Sequence, residues 1–235
     1  MTLHAGVLDA LGRQIVDGQL VPGTVLTLAG IESEFGVSRT VARESMRLLE
    51  SMGLVSSRRR VGITVNDAAQ WNVLDHRLIR WRLQGHHRED QLRSLTELRL
   101  AVEPLSAALA AERADDHDRQ RLVALARRLQ DLGAEGLGRS DDYLQADIAF
   151  HTLLLAASGN EMIASLADVI SEVLVGRTRL GMMPDRPEPA SQHGHLALAE
   201  AVAGRDSETA EREAVALLSE VRSRLGRPED GPSRG

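Results

Sequence analysis

The chain has 235 residues, with 28 basic residues that are all arginine, 34 acidic residues, no cysteine and a formal net charge of −6. The lack of cysteine excludes a thiol nucleophile, an iron–sulfur cluster and an all-cysteine zinc site. Apolar residues make up 43% but aromatic residues only 2%, so the core is Leu, Val, Ile and Ala, a composition that favours helices.

In chain order, Val7, Leu11 and Ile15 recur at four-residue spacing and predict a short helix that ends near Gly18. Leu20-Val21-Pro22-Gly23 reads as a turn. A second helix is expected over 29–35, broken by Gly36. Ser38 is a good N-cap for a third helix over 39–52. That helix turns Val41, Met46, Leu49 and Met52 inward and carries Arg43 and Arg47 on another side. Gly53 suits the position just past its end. Residues 54–57 and 63–65 read as two short strands joined by Arg58-Arg59-Arg60-Val61-Gly62. Residues 1–66 thus form one domain and the polar stretch 67–72 a linker.

Beyond the linker the pattern is helical almost throughout. Leu92, Leu95, Leu98, Val102 and Leu105 repeat every three or four residues, as do Leu122, Leu125, Leu129 and Leu132, and Ile163, Leu166, Ile170 and Val173. Pro104 is expected to kink its helix, 133–141 to form a Gly-rich connection, and 181–194, with Pro184, Pro187 and Pro189, a long loop. Residues 73–226 then form an all-helical antiparallel bundle of six or seven helices, and 227–235 a disordered tail. The fold class is mainly α. No run approaches the ~18 apolar residues of a membrane span. The first residues lack a basic start and apolar block, so the protein reads as cytoplasmic, with no membrane partner.

Charge is unevenly spread. Residues 1–66 hold seven arginines against six acids, and between Arg39 and Arg60 there are six arginines against two glutamates. Two short helices joined by a Gly turn form a helix-turn-helix, whose second helix enters the major groove with its first residues on base edges. Those residues are Ser38, Arg39, Thr40 and Arg43. Arginine can bridge guanine O6 and N7, and the helix N-terminus and the Ser38 and Thr40 hydroxyls suit phosphates. A wing tipped by Arg58, Arg59 and Arg60 would lie over the backbone or in the minor groove. The alternative, a solvated arginine face, does not explain why turn, wing and charge occur together. Gly136-Leu137-Gly138 follows a helix rather than a strand and is no phosphate loop.

The stretches GQLVPGTVL, FGVSRTVARESMRLLESMGLV and RRRVGITV resemble the winged-helix domain of GntR-family transcription regulators. The resemblance implies that Arg39, Thr40 and Arg43 contact operator DNA, with the wing around Arg59, Arg60 and Gly62. One departure is Ala29, which stands where the family often has a polar or basic residue that holds DNA.

In the helical half, Asp147 and His151 are four residues apart and share a helix face. A carboxylate and an imidazole so placed can hold a divalent cation or simply pair by a hydrogen bond. His193 and His195 are further possible ligands. His4, His86, His87 and His117 read as surface residues. No zinc-protease or serine-hydrolase motif is present, so no enzyme is expected.

LTELRLAVEPLSAALAAERA, DIAFHTLLLAASGN and GHLALAEAVAGRD resemble the FCD ligand domain of the FadR-type branch of the same family. Many such domains bind metal through one Asp and three His. Asp147, His151 and His195 match three of these, while the position expected for the last His carries Leu217. The resemblance implies a three-ligand divalent metal site, with zinc the expected ion. Arg99 matches a family arginine and either faces the pocket or pairs with Glu103 at i+4. Arg177 and Arg179 either clamp an acid ligand or interact with a helix C-terminus. The segment QWNVLDHRLIRW is similar to the interdomain segment of the sugar-acid-responsive members of this branch, which implies an aldonic-acid effector of the galactonate or gluconate type. Trp71 and Trp81 are expected to pack the two domains together. The function implied is a homodimeric repressor, released from a palindromic operator by a small carboxylate. The alternatives are a metal-sensing regulator and a metalloenzyme.

Overall fold

A computed structural model describes residues 3–58, 62–187 and 189–225. Arg59, Arg60 and the expected tail 227–235 lie outside the described residues, as does the Arg58 side chain. The chain divides into two compact units, Met1–Gln91 and Leu92–Gly235.

The first unit contains α1 (Leu3–Val16), β1 (Val25–Leu26), α2 (Leu28–Phe35), α3 (Arg39–Ser51), β2 (Val55–Arg58), β3 (Gly62–Val65), a 3₁₀ turn (Ala68–Gln70) and α4 (His76–Gln84). Local chemistry sets the helix ends. Thr27 Oγ1 accepts the Gly30 N–H at the start of α2, and Gly36 closes α2 in the left-handed conformation at φ 63°. Ser38 Oγ accepts the Val41 N–H to start α3, a cap worth about 1 kcal/mol. The strands form an antiparallel sheet in the order β1-β3-β2, with Val25 opposite Thr64 and Arg58 opposite Gly62. β1 is absent from the sequence expectation, because a two-residue strand has no periodicity and exists only by pairing with β3.

The N-terminal core joins Leu11 and Ile15 of α1 to Met46 and Leu49 of α3, to Val55 and Val65 of the sheet, and to Leu78 and Trp81 of α4. Trp81 donates from Nε1 to Asp9 at 3.1 Å. A Cβ on Gly12 would fall 2.3 Å from its ring, so α1 has a glycine where the indole lies against it. Trp71 donates to the Asn66 carbonyl at 3.4 Å. Both tryptophans therefore have described partners inside the first unit. The division by packing falls after α4 rather than within 67–72, because the buried face of α4 is part of the N-terminal core.

The second unit contains all but the first turn of α5 (Arg88–Arg113), and α6 (Asp116–Ala134), α7 (Asp141–Ala157), the single turn α8 (Glu161–Ala164), α9 (Ala167–Arg179), α10 (Pro189–Ala203) and α11 (Ser207–Leu225). The helices α6 and α7, α6 and α10, α10 and α11, and α7 and α9 pack against each other. Leu122, Leu129, Phe150, Leu154, Leu198 and Val202 are central to the core, with alanines between them. The helix α5 runs through Pro104. The helix α10 begins at Pro189, so the loop before it is shorter than the 181–194 expected. Proline suits a first helical position, where its missing N–H would have no partner. No described helix is long and apolar enough to cross a membrane.

Candidate functional site

Two places on the molecule gather residues singled out in the sequence. The first is α3. Ala42, Ser45, Met46 and Leu49 are buried against the core, and this turns Ser38, Arg39, Thr40, Arg43 and Arg47 out to solvent. The Glu50 carboxylate accepts the Ser57 N–H at 2.8 Å and ties the end of α3 to the wing. An open groove of about 630 Å³ lies between α2, α3 and the wing, with Ala29, Arg39, Arg43, Arg47 and Gly62 among its walls. Arg47 pairs with Glu44 at 3.2 Å, whereas the Arg39 and Arg43 side chains face the groove. Gly62 is required by the backbone: its φ is 111°, and a Cβ would stand 3.3 Å from the Leu26 carbonyl oxygen.

The second place is a buried polar cluster in the helical unit. Tyr143, Asp147 and His151 are successive residues of one face of α7, and His195 comes from α10. Asp147 Oδ1 lies 3.4 Å from His151 Nε2 and 3.3 Å from His195 Nε2. Phe150 packs edge-on against both imidazoles, 5.4 and 5.1 Å from their ring centres, and the imidazoles lie 5.5 Å from each other. The ligand atoms of all three residues lie within 4.8 Å of one another. Zinc–ligand bonds of ~2.0–2.2 Å imply neighbouring ligand atoms about 3.4 Å apart on a tetrahedral ion. The donor set and its spacing therefore fit a divalent ion.

Arg99 and Glu103 complete the cluster from α5. The Arg99 Nε donates to Glu103 at 2.6 Å, with both side chains only 2% exposed. The i+4 pair expected as an alternative for Arg99 is thus present, but buried, and Arg99 also lines the cavity. Glu103 Oε2 lies 2.8 Å from His151 Nδ1. The Arg99 Nη2 is 3.2 and 3.1 Å from the two ring nitrogens of His151. A nitrogen equidistant from both stands over the ring face, since an in-plane position would overlap Cε1. His151 Nε2 is the ring nitrogen on the side of Asp147.

Burial alone would raise the pKa of Glu103, but the charges of Arg99 and His151 and their hydrogen bonds outweigh it and hold the value down to about 2. Burial opposes ionisation of Asp147 too, and hydrogen bonds from His151 and His195 hold it well below the usual carboxylate range. Burial pushes His151 down, yet the charge of Glu103 and the two carboxylate hydrogen bonds raise it above the ordinary imidazole value.

Arg99, Tyr143, Asp147, His151, Arg177, Met183, His195, Leu217 and Leu218 enclose a cavity of about 20 Å³, room for about one water molecule. Arg177 is buried there, and its Nη2 is 3.4 Å from Met183 Sδ. Arg179, two residues on, is exposed at the end of α9 and does not line the cavity, which leaves the helix C-terminus as its described surroundings. His193 is exposed as well. Leu217 lines the cavity wall at the position where the family resemblance expects histidine.

Sequence reasoning treated Glu103 only as a partner for Arg99 and missed Tyr143, Met183 and Leu218. A signal for Glu103 existed: it stands on the same helical face as the buried Ala107, Ala110 and Ala111, an odd place for a charge. Tyr143 precedes Asp147 by four residues, as Asp147 precedes His151.

Residues 3–65 match the gntR family of bacterial regulatory proteins and residues 94–220 match the FCD domain. The chain belongs to the GntR family and carries an FCD domain. This GntR-family regulator is 31% identical over 223 residues to the galactonate operon transcriptional repressor of Escherichia coli K12, covering 93% of this chain and 95% of that one. It is 30% identical to the transcriptional regulator LutR of Bacillus subtilis over 70% of this chain and 72% of LutR. Among solved structures, the Listeria monocytogenes regulator Lar superposes with a TM-score of 0.63 at 18% identity, over 96% of this chain and 97% of Lar. The likeness to Lar speaks for the fold alone. The chain is a DNA-binding transcriptional regulator, and the family and its relatives are not enzymes.

Proposed function

We propose that this regulator represses transcription as a homodimer on a palindromic operator and is released by an aldonic acid of the galactonate or gluconate type. The observation that carries the effector class is the 31% identity, over 93% of the chain, with the galactonate operon repressor. Residues 1–66 read DNA: Ser38, Arg39, Thr40 and Arg43 at the start of α3 take base edges and phosphates, and Arg58, Arg59, Arg60 and Gly62 are assigned the adjoining DNA contacts. The helical part over 73–226 senses the ligand and holds the dimer.

Asp147, His151 and His195 would hold a divalent ion, with zinc the fitting choice for two imidazoles and a carboxylate. Such an ion would supply positive charge and open positions for a carboxylate and its α-hydroxyl. Arg99 Nη1 is buried and has no hydrogen-bond partner among the described residues, so it can donate to an anion. Arg177 adds a second guanidinium. Effector pockets are typically ~300–1,000 Å³, so a hexonate requires the walls of the 20 Å³ cavity to part. A bound state that differs in shape from the free one is what a switch needs: ~1–3 kcal/mol of coupling changes operator affinity 5–150-fold.

A second reading is favoured by that same small volume, which suits an ion and a water rather than a sugar acid: a metal-sensing regulator. Melting curves of the purified protein with hexonates, smaller hydroxy acids and dicarboxylates, each with and without Zn²⁺, separate the readings. A ligand at 100 times its dissociation constant adds about 2.7 kcal/mol of stability. A hexonate that raises Tm and releases operator DNA is the expected result. Operator affinity that follows Zn²⁺ alone selects the metal sensor. A response confined to a dicarboxylate or a short hydroxy acid overturns the aldonic-acid assignment.

A further inference from the structure

We infer that Glu103 is a positioning residue: it fixes the imidazole of His151 so that Nε2, and not Nδ1, is offered to a metal ion. The inference rests on reading Asp147, His151 and His195 as metal ligands, and adds to that set a residue from another helix. Glu103 is 1% exposed, on a buried face of α5 that it shares with Arg99, Ser106, Ala107 and Ala110. A carboxylate there loses its hydration and survives only where partners replace it. Its two oxygens are both committed. Oε1 takes the Arg99 Nε at 2.6 Å, and Oε2 takes the Arg99 Nη2 at 3.3 Å and His151 Nδ1 at 2.8 Å.

The arrangement has a direction. Arg99 grips the carboxylate side-on and sets its plane, and the remaining edge accepts the Nδ1 proton. With Nδ1 committed to Glu103, Nε2, 3.4 Å from Asp147 Oδ1, is the nitrogen left for a metal ion. Phe150 packs edge-on against the same ring at 5.4 Å, so neither rotation nor tautomer exchange is free. Remove the carboxylate and the imidazole can place its proton on either nitrogen, with nothing to aim the other one. A carboxylate behind a ligating histidine typically contributes ~10–100-fold in metal affinity.

The test is zinc titration of the full-length chain by calorimetry, with unaltered protein, Glu103→Gln, His151→Ala and the double variant, alongside the apo melting temperature of each. Glu103→Gln is expected to weaken zinc binding ~10–100-fold, and to change it less than about twofold when His151 is already alanine. A merely structural role would lower the apo melting temperature and weaken zinc equally in both backgrounds, and that result overturns the inference. So does unchanged affinity in Glu103→Gln. If the unaltered chain binds no zinc, the metal reading fails and takes this inference with it; zinc binding that ignores Glu103 overturns the inference alone. Nitrogen-15 spectra of zinc-loaded unaltered protein need no variant to fold: zinc on Nε2 and a slowly exchanging Nδ1 proton are expected for His151, and zinc on Nδ1 refutes the assignment.

Discussion

Gly12 and Gly6 lie on the same helix, and alanine at each should act with opposite sign. In general Gly→Ala inside a helix gains up to about 1 kcal/mol. At Gly6 a Cβ meets nothing within 4 Å, so Gly6→Ala should raise stability by up to about 1 kcal/mol. At Gly12 the new methyl would stand 2.3 Å from Cη2 and Cζ3 of Trp81, where carbon contacts are comfortable only at ~3.5–4.0 Å. The indole is 2% exposed and has nowhere to retreat. Either α1 and α4 separate, or the ring moves and loses its bond to Asp9. Overpacking costs about 1–3 kcal/mol and the lost hydrogen bond about 1. After the helix gain is subtracted, roughly 1–3 kcal/mol of destabilisation remains. For a unit of this size that lowers Tm by roughly 5–15 °C. Scanning calorimetry of both variants is the assay. A Gly12→Ala protein as stable as Gly6→Ala would show that α4 does not pack on α1 through this contact.

Arg39→Ala and Arg43→Ala should each cost about 1–3 kcal/mol of discrimination between operator and mutated sites in fluorescence-anisotropy titrations. Arg47→Ala removes an exposed pair with Glu44 and should change folding stability by less than about 0.5 kcal/mol; a larger loss in a melting curve would refute that reading. Gly138→Ala places a Cβ 2.3 Å from the Pro184 carbonyl oxygen and 2.8 Å from that of Asp185, against the segment that carries Met183 into the cavity. It should destabilise the helical unit by about 1–3 kcal/mol in a denaturant titration, and an unchanged midpoint would count against that contact. His195→Ala should weaken zinc by at least tenfold in a chelator competition assay; full retention would remove His195 from the ligand set.

The elements legible in the sequence were those whose cause is local. Gly36 and Ser38 punctuate the two helices of the DNA-reading motif through their own backbone and hydroxyl, and a reader of sequence sees both. β1 was not legible, since Val25 and Leu26 become a strand only because Thr64 and Ile63 lie beside them. The same division runs through the buried cluster. Asp147 and His151 share a helix face by spacing, whereas the carboxylate behind His151 comes from α5, and the Met183 wall comes from a loop with no pattern. An aromatic in a polar segment, such as Trp81, shows that it packs but not against what; Gly12, where the indole lies, is the complementary clue.

The distribution of chromophores has a practical consequence. The chain has two tryptophans and one tyrosine. Trp71 and Trp81 both fall in the first unit, and no indole lines the cavity, whereas Tyr143 does. Light absorbed selectively by indole therefore reports only on the half that reads DNA, and phenol emission only on the half that holds the cavity. Under the proposed switch, arrival of a ligand and transmission of its signal would be two separate optical events in unlabelled protein, and the delay between them the time the switch takes.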